Sequence, residues 1–211
     1  LEERLYSENL CLISKLFIDH KNVTNDCTPF IFYVLVQHGP GRQTVAGYFS
    51  KEYGAKCENN LSCILVLPHC QRKGYGKFLI EFSYELSKRE GKKGTPERPL
   101  SDLGFRGYVS YWAIEVISFL LEHAKKKLSL HAISDATYID HRDVLYVLEN
   151  FGILRKAQNN HNFLFLNEDY LKRLLTNLGV EVTEDPKLQV IKRPLVDSKR
   201  LQWVPHFFNQ D

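Results

Sequence analysis

Residues 71–77 read QRKGYGK, directly after an apolar run (CILVLP, residues 63–68) and directly before a helical pattern (Phe78, Leu79, Phe82, Leu86). Glycines and cations at a strand-to-helix junction suggest a phosphate cradle, because successive backbone N–H groups can converge there at a helix N-terminus. Gly74 and Gly76 permit close approach, and Arg72, Lys73 and Lys77 supply charge. Two familiar occupants fail on spacing. A Walker A loop needs a glycine five positions before its Gly-Lys pair and a Ser or Thr after it, but Gln71 and Phe78 stand there. The dinucleotide fingerprint needs a third glycine where Leu79 stands. A metal-free pyrophosphate cradle remains, beside the alternative of a glycine-rich basic turn that holds nothing.

Outward from this loop, the preceding chain reads as an antiparallel meander. The strands are expected at residues 30–36 (FIFYVLV), 44–49 (TVAGYF) and 61–67, with HGPGRQ as the first turn. A helix over residues 7–19, capped by Ser7, comes before them. After the loop, a helix runs to about Arg89. GKKGTPERP (residues 91–99) then reads as a loop ordered by its prolines.

The later chain changes rhythm. Helices are expected over residues 111–127, 131–136 and 140–151, then strands over 153–157 and 162–166, then a helix from Asn167 to Leu178. Helix, short helix, helix and ribbon is the order of a winged helix-turn-helix lobe. Its candidate recognition helix, DHRDVLYVLENFG, has Arg142 as its one permanent cation against Asp140, Asp143 and Glu149. That charge balance argues against direct DNA reading, which requires a basic footprint for phosphates. The domain expectation is 1–112 for a catalytic core, 113–178 for the winged lobe and 179–211 for a segment packing back.

The chain has 211 residues and a net charge of +3. Its 44% hydrophobic and 25% charged content are ordinary for a globular protein. No apolar run reaches the roughly 18 residues of a membrane span. The five cysteines include no C-x-x-C pair, which fits a reducing compartment rather than a disulfide framework. Cys57, Cys63, His69 and Cys70 lack the paired spacing of a tetrahedral zinc site, so no metal is expected.

Longer stretches are more specific than the loop. Q/R-x-x-G-x-G/A after a strand resembles the pyrophosphate loop of GNAT-like acetyltransferases. NLCLISKLFIDHK, VAGYFSKE, CILVLPHCQRKGYGKFLIEFSYELSK, TPERPLSDLGFRGYVSYW and DSKRLQWVP resemble the MYST family of histone (lysine) acetyltransferases, in that family's order. The resemblance implies an α+β fold: a GNAT-like core with the meander and an acetyl-CoA loop, followed by the winged lobe. It implies acetyl transfer from acetyl-CoA to lysines of histone tails, nuclear localisation, nucleosomes as partners and membership of a chromatin-modifying complex. The family's zinc finger, which stands just before the NLCL helix, has no counterpart in this sequence.

Carried over by position, the resemblance makes Glu97 the general base and Cys63 the active-site cysteine. A lysine of pKa ~10.4 is almost wholly protonated at neutral pH, so a carboxylate that removes its proton is chemically required. Direct attack on acetyl-CoA is favoured over an acetyl-cysteine, because no histidine is evidently placed to generate a thiolate. Backbone amides near Ile64 and Leu65 would then stabilise the oxyanion. Ile64, Leu65, Val66, Gln71, Arg72, Lys73, Gly74, Tyr75, Gly76 and Lys77 are the expected cofactor contacts, joined by Ser101 and Ser110. Ser101 also reads as a helix cap in SDLG. Lys15 matches the family's self-acetylated lysine and is expected beside the buried helix face. Val66 and Val109 depart from the family's usual Thr and Arg. Two other readings stay open: a weakly active acetyl-CoA-binding scaffold, or an acetyltransferase of non-histone proteins.

Overall fold

The computed structural model describes residues 2–15, 27, 29–52, 59–157, 161–183, 190–191 and 195–203. They form a mixed α/β fold with six α-helices and antiparallel sheets. Helix α1 (Glu2–Lys15) leads into strands β1 (Phe30–Gly39), β2 (Arg42–Glu52) and β3 (Cys63–Val66). These pair in the order β1-β2-β3, all antiparallel, as the meander reading expects. Pro40 and Gly41 turn the chain between β1 and β2; Gly41 takes φ +72°, a conformation that favours glycine.

One glycine determines how closely β3 approaches. Gly47 faces Val66, and a Cβ there would lie 2.4 Å from the Leu65 carbonyl oxygen. The β1–β2 register shifts beside it, between Leu35 and Val36, and the Ala46 carbonyl is turned to accept from the Leu67 N–H at 2.9 Å.

Helix α2 (Tyr75–Glu90) packs on this sheet through aromatic rings. Phe82 lies 5.9 Å from both Tyr33 and Phe49, whose own rings stack at 4.7 Å. The helix ends at Gly91 in the left-handed region, with Lys88 and Arg89 in its last turn. Near its C-terminal end Lys51 and Glu90 form a largely buried ion pair at 2.6 Å.

Helix α3 (Asp102–Glu122) is the centre of the core. Tyr108, Trp112, Ala113, Val116, Ile117 and Leu120 are fully buried. The expected start at residue 111 is corrected to Asp102. The helix is covered on nearly all sides and therefore lacks the apolar stripe that marks a helix with one solvent face. Its true start is the Ser101 cap, whose hydroxyl accepts from the Gly104 N–H at 3.1 Å. Its true end is Glu122, five residues before the expected one. The expected boundary at residue 112 thus falls inside an unbroken helix. The cluster around it joins Phe49 and Leu61 of the first half to Leu171 and Leu175 of the second.

The remaining elements are α4 (Leu130–Thr137), α5 (His141–Asn150), β4 (Leu154–Lys156), β5 (Asn162–Leu164) and α6 (Glu168–Asn177). Ser129, Asp140 and Asn167 cap α4, α5 and α6 with their side chains. β4 and β5 pair antiparallel, as do the short β6 (Glu181–Val182) and β7 (Val190–Ile191). The QNNH turn between β4 and β5 lies largely outside the described residues, as does the end of the expected first helix, residues 16–19. Residues 195–203 return to α2 and the sheet: the Val196 N–H donates to Glu81 at 3.0 Å, and the Trp203 indole donates to the Tyr33 hydroxyl at 3.0 Å. Among the described residues no helix is long and apolar enough to cross a membrane.

Candidate active site

After β3 the chain makes one 3₁₀ turn, Pro68–Cys70, and enters the loop that opens the sequence reading. Arg72 takes φ +60° and Gly74 φ +87°, so the loop coils tightly before α2 starts. Gly74 occupies the cap position of α2 and offers no side-chain acceptor, which leaves the helix's first N–H groups available to an anion. A Cβ on either Gly74 or Gly76 would meet nothing within 4 Å. The Gln71 side chain turns back to donate to the Val66 carbonyl at 3.1 Å, and Gln37 of β1 holds the Tyr75 hydroxyl.

A cavity of about 540 Å³ opens here. Its wall contains nine of the expected cofactor contacts: Ile64, Leu65, Val66, Gln71, Arg72, Tyr75, Gly76, Lys77 and Ser101. Lys73, Gly74 and Ser110 are not part of that wall; Ser110 is half-buried further along α3. The wall also contains residues that the sequence reading passed over: Cys70, Ile80, Asp102, Leu103, Gly104 and Gly107. Leu103 is an exposed leucine in the first turn of α3, an exposure that the sequence does not announce. Gly107 lets α3 approach α2, because a Cβ there would come within 3.0 Å of the Ile80 side chain.

The two expected catalytic residues, Cys63 and Glu97, are not part of that wall. Cys63 begins β3, one residue before Ile64, and is buried. Its thiol donates to the Ser14 hydroxyl at 3.5 Å. Ser14 hydrogen-bonds the Tyr48 hydroxyl, which donates to the Leu10 carbonyl at 2.9 Å. With Tyr48 committed to Leu10, Ser14 donates to Tyr48 and keeps a lone pair for the thiol. Burial, followed by the neighbouring Cys63, pushes the Tyr48 phenol well above its usual pKa, so it stays a neutral donor.

Glu97 is exposed, on a segment pinned from two sides. Toward the sheet, the Asn60 N–H donates to the Thr95 carbonyl at 2.8 Å and the Glu97 N–H donates to the Leu61 carbonyl at 3.0 Å, with Leu61 and Pro96 forming a parallel bridge. This corrects the expected third strand: pairing with β2 begins at Cys63, and Leu61 instead joins the Glu97 segment. Toward the helices, the Gly94 N–H donates to Tyr138 at 2.7 Å, and the Asp140 N–H donates to Gly94 at 3.0 Å. Arg98 pairs with Asp143 of α5 at 2.7 Å. The loop at residues 91–99 is therefore ordered by partners as well as by its prolines.

Lys15 ends α1 and is exposed, which removes the reasoning that acetylation would ease its desolvation. Its neighbour Ser14 is the partner of Cys63. Cys57 of the rejected zinc set lies outside the described residues.

The geometry joins an uncapped helix start to the end of a sheet strand, with a cysteine and a pinned carboxylate segment nearby in the chain. The chain belongs to the MOZ/SAS family, whose model matches residues 1–193. It is 43% identical over 207 residues to the histone acetyltransferase ESA1 of Saccharomyces cerevisiae, covering 98% of this chain and 44% of that protein. It is 47% identical over 205 residues to histone acetyltransferase of the MYST family 2 of Arabidopsis thaliana, and 39% identical over 208 residues to the histone acetyltransferase Tip60 homolog of Caenorhabditis elegans. The chain spans less than half the length of each: 44%, 43% and 43% respectively.

Proposed function

We propose that this chain is the acetyl-CoA-binding catalytic region of a nuclear histone acetyltransferase, with a GNAT-like core and a winged helix-turn-helix lobe. The observation that carries the reading is the cavity itself. One wall is the end of β3, the second is the uncapped start of α2 with open space in front of Gly76, and the third is the capped start of α3. The backbone amides of residues 71–77, with Arg72, Lys73 and Lys77, suit the pyrophosphate of acetyl-CoA. Ser101 accepts from Gly104 and still has its own O–H to donate, so capping and ligand binding are compatible.

In this reading the substrate lysine loses its proton to Glu97, directly or through a water, and its neutral amine attacks the thioester carbonyl. Amides near Ile64 and Leu65 stabilise the oxyanion, and collapse expels the coenzyme A thiolate. Cys63 lines the site as a thiol. The contact of Cys63 with the Ser14 hydroxyl, which is neither a base nor a cation, supports direct attack, since a nucleophilic thiolate needs one of these nearby. Lys15 is proposed as a self-acetylation site, supported by its exposure beside Ser14; peptide mapping of the expressed protein that finds no acetyl-Lys15 removes this element.

The C-terminal lobe is read as serving packing and partners, including subunits of a chromatin-modifying complex, rather than DNA. In α5, Arg142 pairs with Asp140 at 2.9 Å, and Asp143, Val144, Val147 and Leu148 face inward. The test of the whole reading supplies labelled acetyl-CoA with nucleosomes, free histones and polyamines in parallel. Transfer to histone lysines is expected. Transfer to polyamines alone, or to none of the three, refutes it.

A further inference from the structure

The segment that carries Glu97 is anchored alternately. The main chain of residues 95–97 binds toward Asn60 and Leu61, whereas Gly94 and Arg98 bind toward the α4–α5 corner and α5, where the Thr95 side chain also faces Asp143. Glu97 itself thus lies between a backbone anchor on one side and a side-chain anchor on the other. The side-chain anchor is unequal in its burial: the Asp143 side chain is 2% exposed and the Arg98 side chain 54%. The anion is held rigidly inside the helical region, and the cation reaches in from the loop. Space at the other end of the segment is equally tight, since a Cβ on Gly94 would come within 2.8 Å of Tyr84.

We propose that Asp143, acting through Arg98, is a positioning residue for the Glu97 carboxylate, so that helix α5 sets the aim of the catalytic base. This rests on the reading of Glu97 as the base. An isolated buried carboxylate is a poor source of stability, because desolvation offsets its attraction. Its partner, however, is the residue next to Glu97, and a misplacement of about 1 Å in a reacting group costs on the order of 100-fold in rate. The arrangement therefore acts on geometry more than on folding. It also gives the helical region an effect on the chemistry without contact with either substrate.

The test compares Asp143→Ala, Asp143→Asn, Arg98→Lys and Glu97→Gln in the full chain, with Val147→Ala as a control that loosens the same helix at a fully buried position. Turnover, the KM for acetyl-CoA, acetyl-CoA binding stoichiometry and amide exchange at Glu97 are measured well below the melting temperature. Asp143→Ala is expected to lower kcat about 10- to 100-fold with KM for acetyl-CoA unchanged, and to speed exchange of the Glu97 amide. Asp143→Asn keeps an acceptor for Arg98 and falls between; Arg98→Lys keeps the charge and recovers most of the rate. Full-rate Asp143→Ala beside an inactive Glu97→Gln overturns this inference and leaves the base assignment standing. So does an equal kcat loss in Val147→Ala. Full-rate Glu97→Gln overturns both.

Discussion

The thiol of Cys63 donates to the hydroxyl of Ser14, 49 positions earlier in the chain, at 3.5 Å. Strand β3 is thereby tied to helix α1 through a relay in which the thiol donates to Ser14, Ser14 to Tyr48 and Tyr48 to the Leu10 carbonyl. Among the described residues, no base or cation is hydrogen-bonded to this thiol.

Cys63→Ala should therefore retain turnover within about tenfold of the parent, because the amine attacks without it. Rapid mixing with acetyl-CoA in the absence of a lysine substrate should leave Cys63 unlabelled. A competent acetyl-Cys63 species, detected by quenched-flow mass spectrometry, would sink direct attack.

Glu97→Gln removes a base while keeping shape and the main-chain bond to Leu61. Turnover should fall about 100- to 10,000-fold, with acetyl-CoA affinity by calorimetry unchanged.

Gly76→Ala separates stability from binding. The added methyl meets no protein atom within 4 Å, and alanine is the better helix former by up to about 1 kcal/mol. The melting temperature without ligand should hold or rise, while acetyl-CoA binds about tenfold more weakly or worse, because the methyl occupies the space kept for a phosphate. Unchanged affinity would place the ligand elsewhere.

Gly47→Ala should destabilise by about 3 kcal/mol in denaturant unfolding, since its Cβ would drive β3 away from β2. Parent-like stability would show that the two strands separate easily.

Asp143 gives a pH prediction with a definite sign. Burial raises its pKa above the usual carboxylate value, against the lowering effects of the Thr95 hydroxyl and the Arg98 charge. Relative to the unfolded chain, the folded protein therefore holds the Asp143 proton up to a higher pH. That contribution is fully present below the unfolded pKa and is lost as pH rises through the folded one. Asp143→Asn lacks this dependence. Relative to the parent, it should gain stability as pH rises through the acid range to neutrality, measured by urea titration at several pH values. A variant that instead loses ground with rising pH would reverse the sign.

Much of this site is legible in sequence because it is local. Gly74, Gly76 and the cations around them sit within seven residues, and their chemistry depends on backbone angles the glycines announce. The β1–β2 turn and the start of α6 at Asn167 are local in the same sense, whereas Ser7, expected as a cap, falls inside α1. The start of α3 is harder: Ser101 reads as a cap, but a helix buried all round shows no period to connect that cap with Tyr111. The cavity's α3 wall depends on how closely α3 approaches α2 at Gly107 and Ile80. The ion pair of Arg98 and Asp143 spans 45 positions, and neither residue's neighbours in sequence indicate the other.

A helix whose buried side chains are shared with Phe49 and Leu61 from one end of the sequence and Leu171 and Leu175 from the other leaves no seam along which the chain can be divided. Cutting before or after α3 would strip apolar surface from Trp112, Val116, Ile117 and Leu120 and leave both fragments without an interior. A recombinant piece ending near residue 112 should therefore be insoluble rather than a smaller enzyme.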